Sequence, residues 1–371
     1  MIKMKHFDII IVGSGIAGMS LGSAISKERN VAIIEKEKQL SYHSTGRSFA
    51  FFIESYGNKE IIELTNISKN FFYKKFDFFL KKKGVLFIGN NKQKNLVENF
   101  YNIYKNKIEL EILNKKQTLT LANCINENYV NNSVLDVNAC EIDVNNLYEY
   151  YRKNFKQNNG HIITDLEVSS ADYRNDKWIL NNEISCNLVV NASGAWADDI
   201  ANVFNIKPVN VIPKIRTVFV FKPKNIDIKN NWPLIADIEE KFYFKNQNKQ
   251  IYASPADETP SYPHDCFPND LDIAIGIDRI QKATIFKFNN IENKWSGLRT
   301  FVNDKSPVIG FENDKKNFFW LVGQGGYGIQ TAPALAEISA NLILNKKHNF
   351  FLDKSTLYNI SIERIRNEIF S

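Results

Sequence analysis

The hydrophobic pattern of the first 35 residues changes from strand-like to helical and back. An apolar run ends at Val12, a second apolar run covers Val31 to Ile34, and Glu35 follows it directly. A glycine-rich turn links the first run to the helical stretch, and it reads Gly13-Ser14-Gly15-Ile16-Ala17-Gly18. The pattern predicts a strand, a tight turn, a helix and a second strand with an acidic end.

Each glycine of this turn has a separate expected task. Gly13 allows the tight turn, Gly15 lets a pyrophosphate approach the backbone, and Gly18 lets the helix pack closely on the strand. The helix N-terminus directs free N–H groups and the positive end of its dipole at the phosphates. Glu35 lies 17 positions after Gly18, where a carboxylate can accept hydrogen bonds from ribose hydroxyls. The segment therefore predicts a site for an adenine dinucleotide.

Further along, the chain alternates between helical and strand-like spacing. Apolar residues over 61–80 predict one amphipathic helix facing the core, with an aromatic ligand cage as the alternative. Short alternating runs from Gly84 predict strands of another layer, and a further helix is expected over 147–155. Two more strands are expected near 167–168 and 178–180.

Two later segments repeat the order of an apolar strand and a turn of small residues. The run over 188–191 leads into Ala192-Ser193-Gly194-Ala195-Trp196, where the backbone can approach a cofactor closely. The run over 318–322 leads through a glycine loop into a helix predicted over 331–344. Both segments are therefore expected to contribute to the nucleotide site.

Together these elements predict a mixed α/β (α+β) fold in which two domains are interleaved in sequence. A Rossmann-like nucleotide-binding domain is expected to take residues 1–83, 141–209 and 299–371. A substrate-binding domain built on an antiparallel sheet is expected to take residues 84–140 and 210–298.

Composition narrows the class of protein further. The 371 residues are 44% hydrophobic and 13% aromatic, which suits a large core and about two domains. No apolar stretch reaches the roughly 18 residues of a membrane span, and the N-terminal run is expected to be a buried strand, not a signal peptide. The four cysteines and five histidines lack ligand spacing, so neither a metal site nor a disulfide framework is expected. A cytoplasmic protein is predicted, with contact to the inner face of a membrane left open.

The charge pattern gives no sign of nucleic-acid binding. The net charge of +6 is spread along the chain, and its one conspicuous run, Lys81-Lys82-Lys83, is interpreted as a solvated helix end. Only nine of the 47 basic residues are arginines. Arginine is therefore expected at positions that need a planar, forked donor.

Five motifs outside the opening segment are more specific than the glycine pattern. They are Tyr42-His43-Ser44-Thr45-Gly46-Arg47-Ser48, Tyr56-Gly57, Val190-Asn191-Ala192-Ser193-Gly194-Ala195-Trp196, Gly297-Leu298-Arg299-Thr300-Phe301 and Gln324-Gly325-Gly326-Tyr327-Gly328-Ile329-Gln330-Thr331. With them, the chain resembles the FAD-dependent D-amino acid oxidase superfamily over nearly its full length. That superfamily includes glycine and sarcosine oxidases, and the resemblance is closest to bacterial D-arginine dehydrogenase.

The resemblance implies FAD as the cofactor. It implies contact with the pyrophosphate and ribose from Gly13, Ser14, Gly15, Ile16, Ala17, Gly18, Glu35 and Lys36, and with the adenine from the backbone of Val168. It places the isoalloxazine ring near Ser44, Thr45, Gly46, Arg47 and Ser48, for which a polar surface loop is the alternative. Further contacts are implied for Ala192, Ser193, Gly194, Trp196, Gly326, Tyr327, Gly328, Ile329, Gln330 and Thr331. Relatives with covalent flavin attach it through a cysteine shortly before the C-terminal loop, and residues 299–323 contain none, so non-covalent FAD is expected.

The resemblance also implies how a substrate is held. Arg299 and Arg216 match positions that bind a substrate carboxylate, which suits the two parallel hydrogen bonds of a guanidinium. The alternative for either is an arginine lying over apolar neighbours. Tyr56 and Tyr243 match tyrosines that border the substrate, although Tyr243 can equally be a packed strand residue. Gln330 is expected near the flavin or the substrate, or else at a helix N-terminus.

The predicted reaction is hydride transfer from Cα of an amino acid to flavin N5, followed by hydrolysis of the imino acid to a 2-oxo acid. Where D-arginine dehydrogenase has a His and a Thr, this chain has Phe51 and Ile53. The acidic residue that faces the substrate guanidinium in that enzyme aligns near Gly84 of this chain, where there is no carboxylate. A small or apolar amino acid, with the D enantiomer favoured, is therefore predicted, with Leu234 and Ala236 as pocket walls. The alternative substrates are a secondary amine such as sarcosine and a 2-hydroxy acid. A different alternative is that the chain is a flavoprotein subunit for electron relay. The electron acceptor, quinone or oxygen, stays open.

Overall fold

The computed structural model describes residues 4–315 and 317–367. Its strands are β1 (Lys5–Val12), β2 (Val31–Ile34), β3 (Phe51–Phe52), β4 (Leu80–Lys82), β5 (Val85–Asn90), β6 (Leu110–Asn114), β7 (Val130–Asp136), β8 (Cys140–Ile142), β9 (His161–Ile163), β10 (Ala171–Arg174), β11 (Lys177–Leu180), β12 (Ile184–Asn191), β13 (Ile212–Phe221), β14 (Leu234–Asp237), β15 (Tyr243–Gln247), β16 (Gln250–Ser254), β17 (Ile291–Phe301), β18 (Val308–Phe311) and β19 (Phe318–Val322). Its α-helices are α1 (Ile16–Ile25), α2 (Lys59–Tyr73), α3 (Phe76–Phe79), α4 (Lys94–Tyr104), α5 (Lys115–Leu121), α6 (Val144–Gln157), α7 (Ala197–Val203), α8 (Asp270–Ala283), α9 (Gly328–Ile343), α10 (Lys354–Asn359) and α11 (Ile362–Asn367).

The first sheet is built around a parallel core of five strands, β19, β12, β1, β2 and β9. Its order is β10-β11-β12-β1-β2-β9, and β19 with β18 extends it beside β12. Alternate residues of β1 enter separate cores: Ile9 and Ile11 pack with α1, α6 and α9, whereas Ile10 and Val12 pack with α7. Helices on both faces explain why these strands are apolar along nearly their whole length.

The second sheet has the order β17-β13-β16-β15-β14-β5-β7-β6. It is antiparallel except between β14 and β5, which run parallel, so the expectation of a purely antiparallel sheet is wrong at this one pair. A parallel pair needs a long crossover, and the chain between β5 and β14 supplies it by passing through the first sheet. One face of this sheet packs on α8, and the other faces the first sheet.

The mixed α/β fold class is confirmed, and several of its elements form where the sequence places them. The strand, turn, helix and strand of residues 5–34 are present, and the helix expected over 147–155 is α6. The proposed division into two interleaved domains stays a prediction, and its boundary at 299 falls inside β17. No helix within the described ranges is long and apolar enough to cross a membrane.

The single helix predicted over 61–80 is wrong in its second half. It breaks after Tyr73, because Lys75 adopts a non-helical conformation with φ −136° and ψ 42° before the short helix α3. Leu80 then begins β4, which pairs antiparallel with β8 in a third, three-stranded sheet. Pairing with a strand distant in sequence thus overrides the local helical spacing.

Three further expectations need correction. The Lys81-Lys82-Lys83 run is not a helix end: the first two lysines lie on β4, and Lys83 donates a hydrogen bond to Asn246 Oδ1 at 2.7 Å. The strand expected at 167–168 is absent, because Asn181 accepts the N–H groups of residues 169 and 170 and holds an irregular segment there. Helix α9 starts at Gly328, a few residues earlier than predicted.

Candidate active site

A cavity of about 620 Å³ extends from the turn between β1 and α1 to the inner face of the second sheet. Residues from both sheets and from the loop before α9 line it without interruption. Its position at the carboxyl ends of the parallel strands β1, β2 and β12 is the usual ligand position in an open α/β sheet.

The turn after β1 forms a close cradle at one end of this cavity. Gly13 has φ +106°, and a Cβ there would lie 2.5 Å from the carbonyl oxygen of Ala192. Gly18 packs directly against Gly13, so a side chain at position 18 would separate α1 from the strand. Gly15 stands at the N-cap of α1 with no side chain to cap it. The helix N-terminus is therefore open to an anion in the cavity.

Glu35 is held at the end of β2 by the same turn. Its Oε2 accepts hydrogen bonds from Ser14 N at 3.0 Å and Ser14 Oγ at 2.7 Å, and its Oε1 accepts from Glu37 N at 3.0 Å. Ser14 itself does not line the cavity, so it acts by orienting Glu35. Nearby, the Lys36 ammonium lies 3.6 Å from the centre of the Trp196 ring, and both line the cavity.

The segment from Ser44 to Ser48 joins this turn to the second sheet. Thr45 Oγ1 accepts the N–H of Ile16, the first residue of α1, at 2.9 Å. Ser44 Oγ donates to the carbonyl of Leu298 at 2.6 Å, and Arg47 donates to the carbonyl of Ser296 at 3.0 Å. The segment is therefore an ordered wall of the cavity and not a free surface loop.

Arg299 faces the cavity from β17 without a carboxylate partner in the described part of the chain. Its guanidinium donates a hydrogen bond to Tyr56 OH at 3.3 Å, and a Cβ on Gly326 would lie 2.6 Å from it. Burial alone would lower the pKa of Arg299, but Tyr56 and Tyr243 outweigh burial and raise that pKa above its usual value. The cavity therefore contains a fixed positive charge that a bound anion would neutralise.

Tyr243 lies beside that charge on β15. Its ring is partly exposed to the cavity, whereas its hydroxyl oxygen is buried and has no hydrogen-bond partner among the described residues. Burial would raise the pKa of Tyr243, but the positive charges of Arg299 and Arg216 outweigh it and lower that pKa below its usual value. An unpartnered hydroxyl beside an unpaired cation fits a ligand that accepts hydrogen bonds.

Arg216 differs from Arg299 because the protein already neutralises it. Its Nε donates to the carbonyl of Asp257 at 2.9 Å, and its terminal nitrogen donates to Glu258 at 3.2 Å. Burial favours the neutral form of Glu258, but Lys214, Lys305 and Arg216 outweigh it and lower the pKa of its carboxyl. Arg216 is thus anchored to the loop between β16 and α8, although it also lines the cavity.

The loop before α9 closes the cavity on the side of Arg299. Gly326, Gly328, Ile329 and Gln330 line it there. Gln330 donates to Thr65 Oγ1 at 2.9 Å and accepts from Ile53 N at 3.2 Å, so its side chain braces β3 against α2.

The other wall near Arg299 is apolar. It comprises Phe49, Phe51, Ile53, Val85, Phe87, Val218, Leu234 and Ala236. Sequence reasoning named Leu234 and Ala236 as pocket walls but missed Phe49, Val85, Phe87 and Val218. The alternation along β5 carries a signal for two of these, because Val85 and Phe87 point to one face and Leu86 and Ile88 to the other. Nothing in the local pattern shows that the former face borders a cavity.

Most residues that the sequence proposed for cofactor contact are brought to this one cavity. Lining it are Gly13, Gly15, Ile16, Ala17, Glu35, Lys36, Ser44, Thr45, Arg47, Ser48, Val168, Ala192, Ser193, Gly194, Trp196, Gly326, Gly328, Ile329 and Gln330. Tyr56, Tyr243, Arg216 and Arg299 line it as well. Behind the wall are Ser14, Gly18, Gly46 and Tyr327, which contact residues that line it. Thr331 lies behind it as well and donates a hydrogen bond to the carbonyl of Tyr327.

The chemistry of one end of the site fits a dinucleotide. The glycine cradle and the open end of α1 suit a pyrophosphate, and Glu35 suits a ribose. No group of three or more His, Cys, Asp or Glu within residues 4–315 and 317–367 is arranged to hold a metal ion.

Comparisons with known proteins agree with this reading. A sequence model of the FAD dependent oxidoreductase family matches residues 8–342. FAD-dependent oxidoreductase domain-containing protein 1 of Xenopus laevis is 22% identical over 407 residues, covering 92% of this chain and 80% of the relative.

Two solved structures have the same fold. Glycine oxidase from Geobacillus kaustophilus superposes with a TM-score of 0.81 at 16% identity, over 94% of this chain and 97% of that one. L-Proline dehydrogenase from P. horikoshii superposes with a TM-score of 0.81 at 19% identity, over 93% and 95% of the two chains. The sequence match over most of the chain, together with the dinucleotide site, shows that this protein belongs to the family of FAD dependent oxidoreductases.

Proposed function

We propose that this chain oxidises a small or apolar α-amino acid to the corresponding 2-oxo acid, with the D enantiomer as the first candidate. The observation that carries the proposal is the Arg299 guanidinium, which faces the cavity beside Tyr56 and Tyr243 and has no carboxylate partner in the described chain. A substrate carboxylate would supply the missing negative charge through two parallel hydrogen bonds.

In this proposal each polar residue near Arg299 has a positioning task. Arg299 fixes the carboxylate and so sets the direction of the Cα–H bond. Tyr56 and Tyr243 donate from their hydroxyls to the carboxylate oxygens, which would satisfy the unpartnered Tyr243 hydroxyl. The guanidinium carbon of Arg216 lies 5.9 Å from the centre of the Tyr243 ring and adds positive potential there. Orientation, with water excluded by the apolar wall, is the main contribution of the protein to the rate.

FAD supplies the two-electron acceptor when it is bound. We propose that it binds non-covalently, with the pyrophosphate at Gly13 to Gly18, the ribose at Glu35 and the ring system beside Ser44 to Ser48 and the loop before α9. In support, no cysteine in the described chain lines the cavity. Flavin that stays with denatured, precipitated protein would contradict this assignment.

The apolar wall favours an uncharged substrate side chain. On the substrate side of the cavity, Glu240 is the lining carboxylate in the described chain, and it is exposed in the turn between β14 and β15. Closeness to D-arginine dehydrogenase therefore stays a prediction, and a basic substrate is disfavoured.

A secondary amine is the second candidate substrate, because the same fold occurs in L-proline dehydrogenase, whose substrate proline is a secondary amine. A 2-hydroxy acid would bind through its carboxylate to the same residues, Arg299, Tyr56 and Tyr243, which form the carboxylate clamp. A subunit for electron relay alone would leave the Arg299 charge without a partner. The cytoplasmic location also stays a prediction, which cell fractionation tests.

Anaerobic reduction of the purified holoenzyme tests the proposal. The panel comprises both enantiomers of alanine, valine, phenylalanine, proline and arginine, together with glycine, sarcosine and lactate, and bleaching of the flavin absorbance is the readout. We expect faster bleaching with apolar amino acids than with arginine. Fast bleaching by lactate alone, or by no compound, would refute the proposal. Reoxidation by air and by a quinone then separates oxidase from dehydrogenase.

A further inference from the structure

The ring of Phe49 is held in its orientation by the ring of Tyr243 and the ammonium of Lys245. It stacks on Tyr243, with ring centres 5.5 Å apart and planes inclined by 25°. The ammonium of Lys245 lies 4.4 Å from the centre of the same Phe49 ring. Tyr243 and Lys245 are two positions apart on β15, so both point to the same face of the sheet. Phe49 therefore lies across the side chains of a single strand.

Lys245 is itself fixed in place. Its side chain is only 6% exposed and forms an ion pair with Glu141 of β8. The register of β3 and β8 places Glu141 directly opposite Phe51, another residue of the apolar wall. Lys245 also lies 5.7 Å from the ring centre of Phe51. The ion pair thus stands behind two aromatic residues that line the cavity.

The position of this pair is not explained by cofactor contact, because neither Lys245 nor Glu141 lines the cavity. A gain in stability does not explain the position of the pair well either, because burying two charges costs desolvation free energy that their mutual attraction only roughly offsets. A desolvated ammonium over a ring does, however, hold that ring in one orientation. The pair is therefore best placed to act through Phe49.

We propose that Lys245, paired with Glu141, is a positioning residue that holds Phe49 against Tyr243 and so shapes the cavity for a branched or aromatic substrate side chain. This rests on the proposed function, because it assumes that Arg299 holds the substrate carboxylate. Tyr243 then borders both the carboxylate and the Phe49 ring. Any rotation of Phe49 away from Tyr243 would remove the wall against which the substrate side chain packs.

The test measures binding of three simple carboxylates, acetate, isovalerate and phenylacetate, to the holoenzyme through perturbation of the flavin absorbance. Acetate reports the Arg299 clamp alone, and the ratio of phenylacetate to acetate affinity reports the side-chain wall. We expect this ratio to be about tenfold or more in the natural protein. Phe49→Ala should lower it about tenfold, and Lys245→Met about fivefold, because phenylacetate affinity should fall far more than acetate affinity.

Two further variants separate positioning from a general loss of structure. Adding Lys245→Met to Phe49→Ala should cause no further loss of the ratio, because Lys245 acts through that ring. Lys245→Arg keeps a cation and should preserve the ratio. Lys245→Met combined with Glu141→Gln avoids leaving a buried carboxylate unpaired, and it should behave like Lys245→Met. Lys294→Met, at an exposed ion pair with Asp270, is the matched control and should change nothing.

Equal weakening of acetate and phenylacetate by Lys245→Met, or no change in either, would overturn the inference while leaving the proposed function standing. Failure of every carboxylate to bind the natural holoenzyme would overturn both. A crystal structure of the Lys245→Met holoenzyme gives a readout that needs no ligand. Phe49 still stacked on Tyr243 in that structure would refute the role of Lys245.

Discussion

Replacing Arg299 with methionine removes a cavity-facing cation that no carboxylate of the described chain neutralises. Methionine keeps a long, flexible apolar side chain, so the gap left by the guanidinium is small. The folded protein also loses a charge that it holds without a partner. We therefore expect the thermal stability of the variant to stay equal to that of the natural protein or to rise.

Catalysis should change far more than stability. A hydrogen bond to a charged group contributes about 1.5–3 kcal/mol, so two of them to a substrate carboxylate account for about 3–6 kcal/mol. At about 1.4 kcal/mol per factor of ten, kcat/KM should fall by between about a hundredfold and about ten-thousandfold. The fall should appear in KM as weaker binding and in kcat as poorer orientation of the Cα–H bond.

The assay is stopped-flow reduction of the bound flavin under anaerobic conditions, with the best substrate of the panel. Arg174→Met is the matched control, because Arg174 forms an exposed ion pair with Asp172 and its side chain is 64% exposed. We expect the control to keep full activity. A fall in kcat/KM of less than about fivefold for Arg299→Met, with full flavin content, would refute the carboxylate clamp.

Three other predictions concern stability. Gly13→Ala should destabilise the protein by about 1–3 kcal/mol and lower its FAD content, because the new Cβ meets the neighbouring backbone at a positive φ. Asp136→Asn should stabilise the protein at pH 7 by up to about 3 kcal/mol, because burial raises the pKa of Asp136 to about 6 and its Oδ2 has no hydrogen-bond partner. The folded state binds this proton more tightly than the unfolded chain, so the advantage of asparagine should shrink as the pH falls from 6 to 4. Arg366→Met should cost about 3–5 kcal/mol, because it leaves the buried Glu312 without its partner.

Urea unfolding measures all three effects, and the glycine and arginine variants each have a matched control. Gly194→Ala adds a Cβ with nothing within 4 Å, so its cost should be smaller than that of Gly13→Ala. Lys282→Met breaks an exposed ion pair and should change stability by less than about 0.5 kcal/mol. Equal costs for the two glycine variants would contradict the argument for Gly13. A pH-independent gain in stability for Asp136→Asn would contradict the argument for Asp136. A cost for Arg366→Met as small as that of Lys282→Met would contradict the argument for Arg366.

The opening segment was predictable because its signals are local. Gly13 needs a positive φ and Gly18 needs close backbone packing, which both require a residue without a Cβ. The spacing to Glu35 is set by one helix and one strand. The helix over 61–80 was predictable only as far as Tyr73. Leu80 leaves the helical pattern because β8 offers it a strand partner, and β8 lies far along the chain.

The two substrate-side arginines show the same limit. In sequence, Arg216 and Arg299 were both candidates for a carboxylate clamp. The structure separates them, because the loop after β16 brings Glu258 against Arg216 and leaves Arg299 facing the cavity. Charge compensation between residues that are distant in the chain cannot be read from spacing.

The sequence by itself determined the dinucleotide motif and the α/β class, because glycine conformations and apolar periodicity act over a few residues. The segments Ser44 to Ser48 and Gly326 to Thr331 were indicated by the resemblance to a known family and not by periodicity. Only the tertiary structure decided that the Arg299 charge stays unpaired among the described residues, that Leu80 joins β4 and pairs with β8 instead of continuing a helix, and that Lys245 lies behind Phe49. Each of these depends on strands from separate parts of the chain meeting in one sheet, where burial and charge compensation are decided jointly.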